Sequence, residues 1–187
     1  MSKYIGFTLI EILVSLAILL SVIAIGVPSL NNYIVDTRVD NEIFTIHRLL
    51  LIARNSALTS NSKVTLCPIN SQGACTNLWH KELSVFTDTN NNKIYEPMLN
   101  EKIVAFKSAI KTGDKLQYGK TRIGLTYSAT GHLSGWGQNA TFSYCPANHN
   151  DKNRGIIVAI SGRSYASTSN KKNTANIRRT GKKITCS

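Results

Sequence analysis

Residues 1–30 read MSKYIGFTLIEILVSLAILLSVIAIGVPSL, a short basic leader running into an apolar stretch broken by one acid. Between Phe7 and Leu30 the only charged side chain is Glu11, and about twenty such residues are enough for a helix to span a bilayer. A secretory signal carries its small-residue cut site after the apolar region. Here the small residue, Gly6, stands before it, so a cut after Gly6 keeps the apolar helix in the mature chain. That cut frees an amine at Phe7. A carboxylate near the end of a membrane segment is costly without a partner, and this amine is the obvious one. Within one chain the two groups lie about one helical turn apart, so a neighbour's amine could also serve.

Outward from this stretch the helical pattern continues. Val35, Val39, Ile43, Ile46, Leu50, Ala53 and Ala57 recur every three or four positions, which defines one face of a helix. Arg38, Asp40, Glu42, Arg48 and Arg54 fall off that stripe. The spacing predicts one helix from about residue 7 to about residue 60, roughly 80 Å long at 1.5 Å per residue. Pro28 removes one helix hydrogen bond and predicts a kink or local melting. Asn61-Ser62 then supplies a stop.

From Lys63 the pattern becomes short and β-like: residues 64–67, 83–86, 102–106, 122–127, 141–145 and 155–161. Gly, Asn and Pro clusters separate these runs, as hairpin-linked antiparallel strands require. The expected organisation is α+β: a leader (1–6), a membrane-spanning helix (7–30), its amphipathic continuation (31–60), and an antiparallel β globular domain (61–187) ending in a basic tail (152–187).

The formal charge of +12 is unevenly placed. Residues 1–100 hold seven Lys/Arg and seven Asp/Glu, which cancel, whereas residues 101–187 hold fifteen and three. Residues 152–187 carry nine bases and no acid. These are Lys152, Arg154, Arg163, Lys171, Lys172, Arg178, Arg179, Lys182 and Lys183. Such a field favours a polyanion. Positive groups at these intervals can neutralise successive phosphates without reading sequence, and Tyr165 could stack on a base. A solvated, solubilising surface is the bland alternative.

Cys67, Cys75, Cys145 and Cys186 allow three pairings. Cys67–Cys75 would close a short loop and Cys145–Cys186 would tie the tail to a strand; in an exported chain, disulfides in an oxidising compartment are expected. Asp88-Thr89-Asn90-Asn91-Asn92-Lys93 opens like a calcium loop. An EF-hand needs glycine where Lys93 stands and an acid where Leu99 stands, so a surface turn is expected instead. His47, His80, His132 and His149 lack metal-ligand spacing. No nucleophile elbow or phosphate loop occurs, and the expectation is a protein without catalytic residues, metal or cofactor.

Gly6-Phe7-Thr8-Leu9-Ile10-Glu11 resembles the type III signal of type IV pilins and type II secretion pseudopilins. The resemblance implies cleavage by prepilin peptidase between Gly6 and Phe7, N-methylation of Phe7, and neutralisation by Glu11 of an adjacent subunit's amine during assembly. It also implies a single-pass inner-membrane subunit with a periplasmic domain, later placed in a pilus at the cell surface beside other pilin subunits.

Thr65-Leu66-Cys67-Pro68, Val85-Phe86-Thr87-Asp88 with its asparagines, and a late strand ending in Gly162-Arg163 are similar to the FimT/GspH group of minor pilins. That group has the type IV pilin fold. Its FimT branch binds DNA through a C-terminal Gly-Arg-x-Arg element and assists DNA uptake in natural transformation. Gly162 and Arg163 match, Tyr165 replaces the second arginine, and Arg178, Arg179, Lys182 and Lys183 could restore the charge. The GspH branch implies protein contacts at the tip of a type II secretion pseudopilus.

Overall fold

The computed structural model describes residues 6–135, 139–170, 173–177 and 183–186. It comprises two compact units, Met1–Arg38 and Val39–Ser187. One helix, α1 (Leu9–Ser60), contributes to both.

In the first unit α1 opens on a capping box. The Glu11 amide donates to Thr8 Oγ1 at 3.3 Å, and the Glu11 carboxylate accepts from the Thr8 amide at 2.9 Å. The Thr8 hydroxyl also donates to that carboxylate at 2.9 Å. This reciprocal arrangement satisfies donors that begin every helix. Large apolar side chains from Leu9 to Val27 are exposed, and Ser15 and Ser21 donate their hydroxyls to carbonyls four residues back. The helix is long and apolar enough to cross a membrane. It runs unbroken through Pro28, so the local melting expected there does not occur: proline deletes one rung of a ladder that is otherwise intact on both sides.

In the second unit the stripe on α1 is buried: Val39, Ile43, Ile46, Leu49, Leu50, Ala53 and Ala57. The strands are β1 (Val64–Cys67), β2 (Leu83–Thr87), β3 (Ile103–Lys107), β4 (Lys115–Tyr118), β5 (Leu125–Tyr127), β6 (Ala140–Cys145), β7 (Arg154–Val158), β8 (Ser164–Ala166), β9 (Thr168–Asn170) and β10 (Asn173–Ile177). They form two four-stranded antiparallel sheets, β3-β2-β1-β5 and β4-β6-β7-β8, and a β9-β10 hairpin. Fully buried Leu66, Val85, Leu125, Phe142 and Ile156 supply the sheets' share of the core. Trp79 adds edge-on contacts to Tyr118 and Phe142, which stack on each other at 4.3 Å.

Two acids fasten the helix to both sheets. Glu42 pairs with Lys107 of β3 at 2.7 Å, and Asp40 pairs with Arg154 of β7. Disulfides join Cys67 to Cys75 and Cys145 to Cys186.

Asp88 is not the surface turn expected of it. It is fully buried and accepts from the Thr65 hydroxyl at 2.6 Å and the Lys93 amide at 3.2 Å. A strand hydroxyl distant in sequence draws this carboxylate inward, while Asn90 and Asn92 stay exposed.

Candidate nucleic-acid interface

The first cation after β7 rides on a turn fixed by backbone contacts. Ala159 N–H donates to the Arg163 carbonyl and Gly162 N–H to the Ala159 carbonyl, both at 2.9 Å. The strand therefore ends at Val158, short of the expected 161, and Ile160 is half exposed at the turn. Leu133 N–H donates to the Ile160 carbonyl at 3.0 Å, holding the turn against the loop that follows β5.

Gly162 makes this close approach possible. Its φ is +76°, and a Cβ there would stand 1.9 Å from the Gly131 carbonyl oxygen. No side chain fits in that space. The same carbonyl accepts from Arg54 Nε at 3.0 Å. A chain of contacts thus runs from α1 through Gly131 to the residue before Arg163. Arg163 itself projects exposed from the turn.

Beyond it, β8 is a sheet edge. Tyr165 lies opposite Ile157 and is partly exposed, and the Ser164 carbonyl lies 3.3 Å from His47 Nε2 on α1. Ser167 closes the strand by exchanging bonds with Gly155, at 2.7 Å through its amide and 3.1 Å through its hydroxyl. Tyr127 packs beneath. Its ring edge lies 3.2 Å from where a Gly162 Cβ would be, and its buried hydroxyl has no hydrogen-bond partner among the described residues. Burial pushes the phenol far above its ordinary pKa.

The tail's far end returns to the core. Ile184 is buried against Gly155, its carbonyl accepts from Asn153 Nδ2 at 3.3 Å, and Cys186 is bonded to Cys145. Lys183 is exposed beside this anchor. The two ends of the basic segment are therefore both fixed to the β4-β6-β7-β8 sheet.

The remaining sequence-selected cations divide. Arg154 is engaged by Asp40, so its charge is already partly neutralised. Lys152 is half-buried in a short 3-10 turn with Asn150 and Asp151. Lys171, Lys172, Arg178, Arg179 and Lys182 lie outside the described residues. Sequence reasoning missed Asp40, Gly131 and Tyr127, because each reaches the site from a distant part of the chain. His132 and His149 make local contacts with Thr130 and the Ala147 carbonyl. Among the described residues, no three His, Cys, Asp or Glu side chains converge as a metal would need.

An apolar N-terminal helix of spanning length, continued into a domain of antiparallel sheets, is the build of a pilin-type filament subunit. Residues 1–27 match the prokaryotic N-terminal methylation motif. Residues 44–162 match the family described as type II transport protein GspH, and the chain belongs to that family of minor pilins and pseudopilins.

Two crystal structures of the Pseudomonas aeruginosa PAO1 type IV minor pilin FimU share the fold. They have 16% and 17% identity and TM-scores of 0.52 and 0.51, and both alignments cover 69% of this chain and 92% and 90% of theirs. The Vibrio cholerae type 2 secretion minor pseudopilin EpsH aligns at 14% identity over 69% of this chain and 95% of its own, with a TM-score of 0.47. No curated protein sequence matches the chain. Membership implies prepilin peptidase processing, membrane anchoring and interaction with other pilin subunits. The family match ends at Gly162, one residue before Arg163.

Proposed function

We propose that this chain is a FimT-like minor type IV pilin that binds DNA through its basic C-terminal segment and assists DNA uptake in natural transformation. One observation carries the reading: the acid-free segment 152–187, with its nine cations, includes an exposed Arg163 whose turn is held from α1 through Gly131 and Gly162. Positive groups on an anchored scaffold bind a phosphate backbone with less ordering cost than free ones. The contact is electrostatic and indifferent to sequence. Tyr165 on the exposed edge offers a ring for an unstacked base.

The N-terminus serves delivery in this reading. Prepilin peptidase cuts between Gly6 and Phe7, Phe7 is methylated, and Glu11 exchanges its Thr8 contacts for the amine of a neighbouring subunit. The domain faces the periplasm before assembly. The role is binding, not catalysis.

The test is the salt dependence of DNA affinity. If about five phosphates are neutralised, log K against log salt slopes near −4.5 for duplex and near −3.5 for single strands. Replacing Arg163, Arg178 and Arg179 by Gln should flatten the slope and reduce transformation. An unchanged slope removes the reading. The family match over residues 44–162 favours one alternative, a purely structural minor pilin or secretion pseudopilin. In that case the triple variant transforms normally, while deletion of the gene abolishes filament formation or secretion.

A further inference from the structure

A second basic site lies away from the tail. Lys93, Lys120, Thr121, Arg122, Ile123 and Gly124 line a cavity of about 470 Å³ between the β2–β3 loop and the β4–β5 connection. No carboxylate is among these lining residues. Asp88, Glu96 and Glu101 of the neighbouring loop are occupied with its own amides and the amides of Asn90 and Asn92.

The cavity walls are built by long-range contacts. Cys75 N–H donates to the Lys93 carbonyl at 2.9 Å, and a bridge pairs Ala74 with Ile94, so the disulfide-closed loop carries the Lys93 wall. Trp79 Nε1–H donates to the Arg122 carbonyl at 2.7 Å, fixing the opposite wall to the aromatic cluster. The Arg122 stem crosses Gly119, where a Cβ would lie 3.3 Å from it, and Gly124 sits against the Cys67–Cys75 bridge. Three cations from two chain segments are thereby held around one polar concavity.

We propose that this cavity is a second phosphate site, which accepts a backbone phosphate of DNA on Lys93 and Lys120 independently of the tail. The two ammonium groups supply the contacts as point charges, and the Arg122 guanidinium, which has a partner of its own, adds to the positive field. The proposal rests on the DNA-binding reading above. The cavity adjoins the start of β5 and the Arg163 turn packs against the loop after its end, so the two sites are separable by substitution.

The experiment measures fluorescence anisotropy of a labelled 20-base-pair duplex with the full chain in nonionic detergent, from 50 to 200 mM salt. K93Q/K120Q removes two contacts and should flatten the salt slope by about 1.8, making the tightening between 200 and 50 mM about tenfold smaller. K93R/K120R should keep the wild-type slope. K81Q/K111Q, the same charge change at exposed lysines outside the cavity, should leave the slope nearly unchanged. If K93Q/K120Q behaves like K81Q/K111Q while R163Q flattens the slope, the cavity proposal is overturned and the tail reading stands. If R163Q is silent and K93Q/K120Q is not, the cavity stands without the tail. A wild-type chain that leaves the duplex unbound at 50 mM overturns both.

Discussion

Replacing Gly162 by Ala tests whether the turn that carries Arg163 is fixed by backbone contact. Two costs add. A left-handed φ of +76° costs a Cβ-bearing residue about 1–2 kcal/mol. The new Cβ would also meet the Gly131 oxygen at 1.9 Å and the Tyr127 ring edge at 3.2 Å. A carbonyl oxygen held by Arg54 cannot swing aside like a flexible side chain, so the backbone must shift, and overpacking of that kind costs about 1–3 kcal/mol. The expected loss is about 2–5 kcal/mol, or roughly 4–20 °C in Tm at 2–4 °C per kcal/mol. Chemical and thermal unfolding of the full chain in nonionic detergent measures it. R163A, which truncates an exposed side chain, should stay within about 0.5 kcal/mol of wild type. Gly162→Asn decides which cost dominates. Asparagine tolerates left-handed φ but brings the same Cβ, so the contact argument expects it to be nearly as damaging as alanine. A G162A protein within about 0.5 kcal/mol of wild type would refute the reasoning, and full rescue by asparagine would reduce it to φ alone.

Tyr127→Phe should be neutral or stabilising by up to about 1 kcal/mol, because it deletes a buried hydroxyl without a partner among the described residues; thermal unfolding at neutral pH reads this. The same variant tests alkaline behaviour. Burial raises the Tyr118 and Tyr127 phenols above their ordinary value, so above about pH 10 the unfolded chain releases protons that the native state keeps. Stability is full below that pH and falls by about 1.4 kcal/mol per pH unit for each tyrosine, so Y127F should remove about half of the tyrosine part of that slope. C145A/C186A opens a bridge spanning 41 residues, and the chain-entropy relation gives a loss of about 4 kcal/mol, measurable as a shift in urea midpoint. Asp40→Asn breaks an exposed ion pair worth about 0–1 kcal/mol; it should leave Tm nearly unchanged while steepening the DNA salt slope by up to about 0.9 as Arg154 is released.

The sequence discloses what is periodic and local. Glu11 in an otherwise apolar run and the stripe from Val39 to Ala57 predict α1 almost residue for residue, because burial there repeats with the helix. Residues 64–67 coincide with β1, where all four side chains are buried. β4 escaped notice because only Leu116 and Tyr118 of Lys115–Tyr118 turn inward, too few to register as alternation. β8 is three residues between the Gly162-Arg163 turn and Ser167, and reads as loop. The site's geometry is less legible still. Asp88 is pulled inside by Thr65, Gly162 is required by Gly131, and Arg154 is claimed by Asp40, 114 residues away. Composition locates the charge in residues 101–187 but does not distinguish a committed cation from an available one.

That distinction changes how the charge asymmetry is understood. Asp40 and Glu42 belong to the half of the chain in which charges cancel, yet their partners, Arg154 and Lys107, belong to the basic half. Lys107 is buried against a partly buried Glu42, whereas Arg154 meets Asp40 at the surface. The first pair is structural, since removing one partner of a buried pair strands the other's charge; the second is cheap to break. Net charge is therefore a poor measure of the interface. Lys107 counts toward +12 but is consumed by folding, while Arg154 is held at modest cost and can exchange a carboxylate for a phosphate. Arg163, on the next turn of the same hairpin, needs no such exchange. Affinity for a polyanion should follow this order of availability rather than proximity in sequence, with Arg163→Gln costing more than Arg154→Gln, and Asp40→Asn narrowing the difference in the opposite sense, by raising what Arg154 contributes.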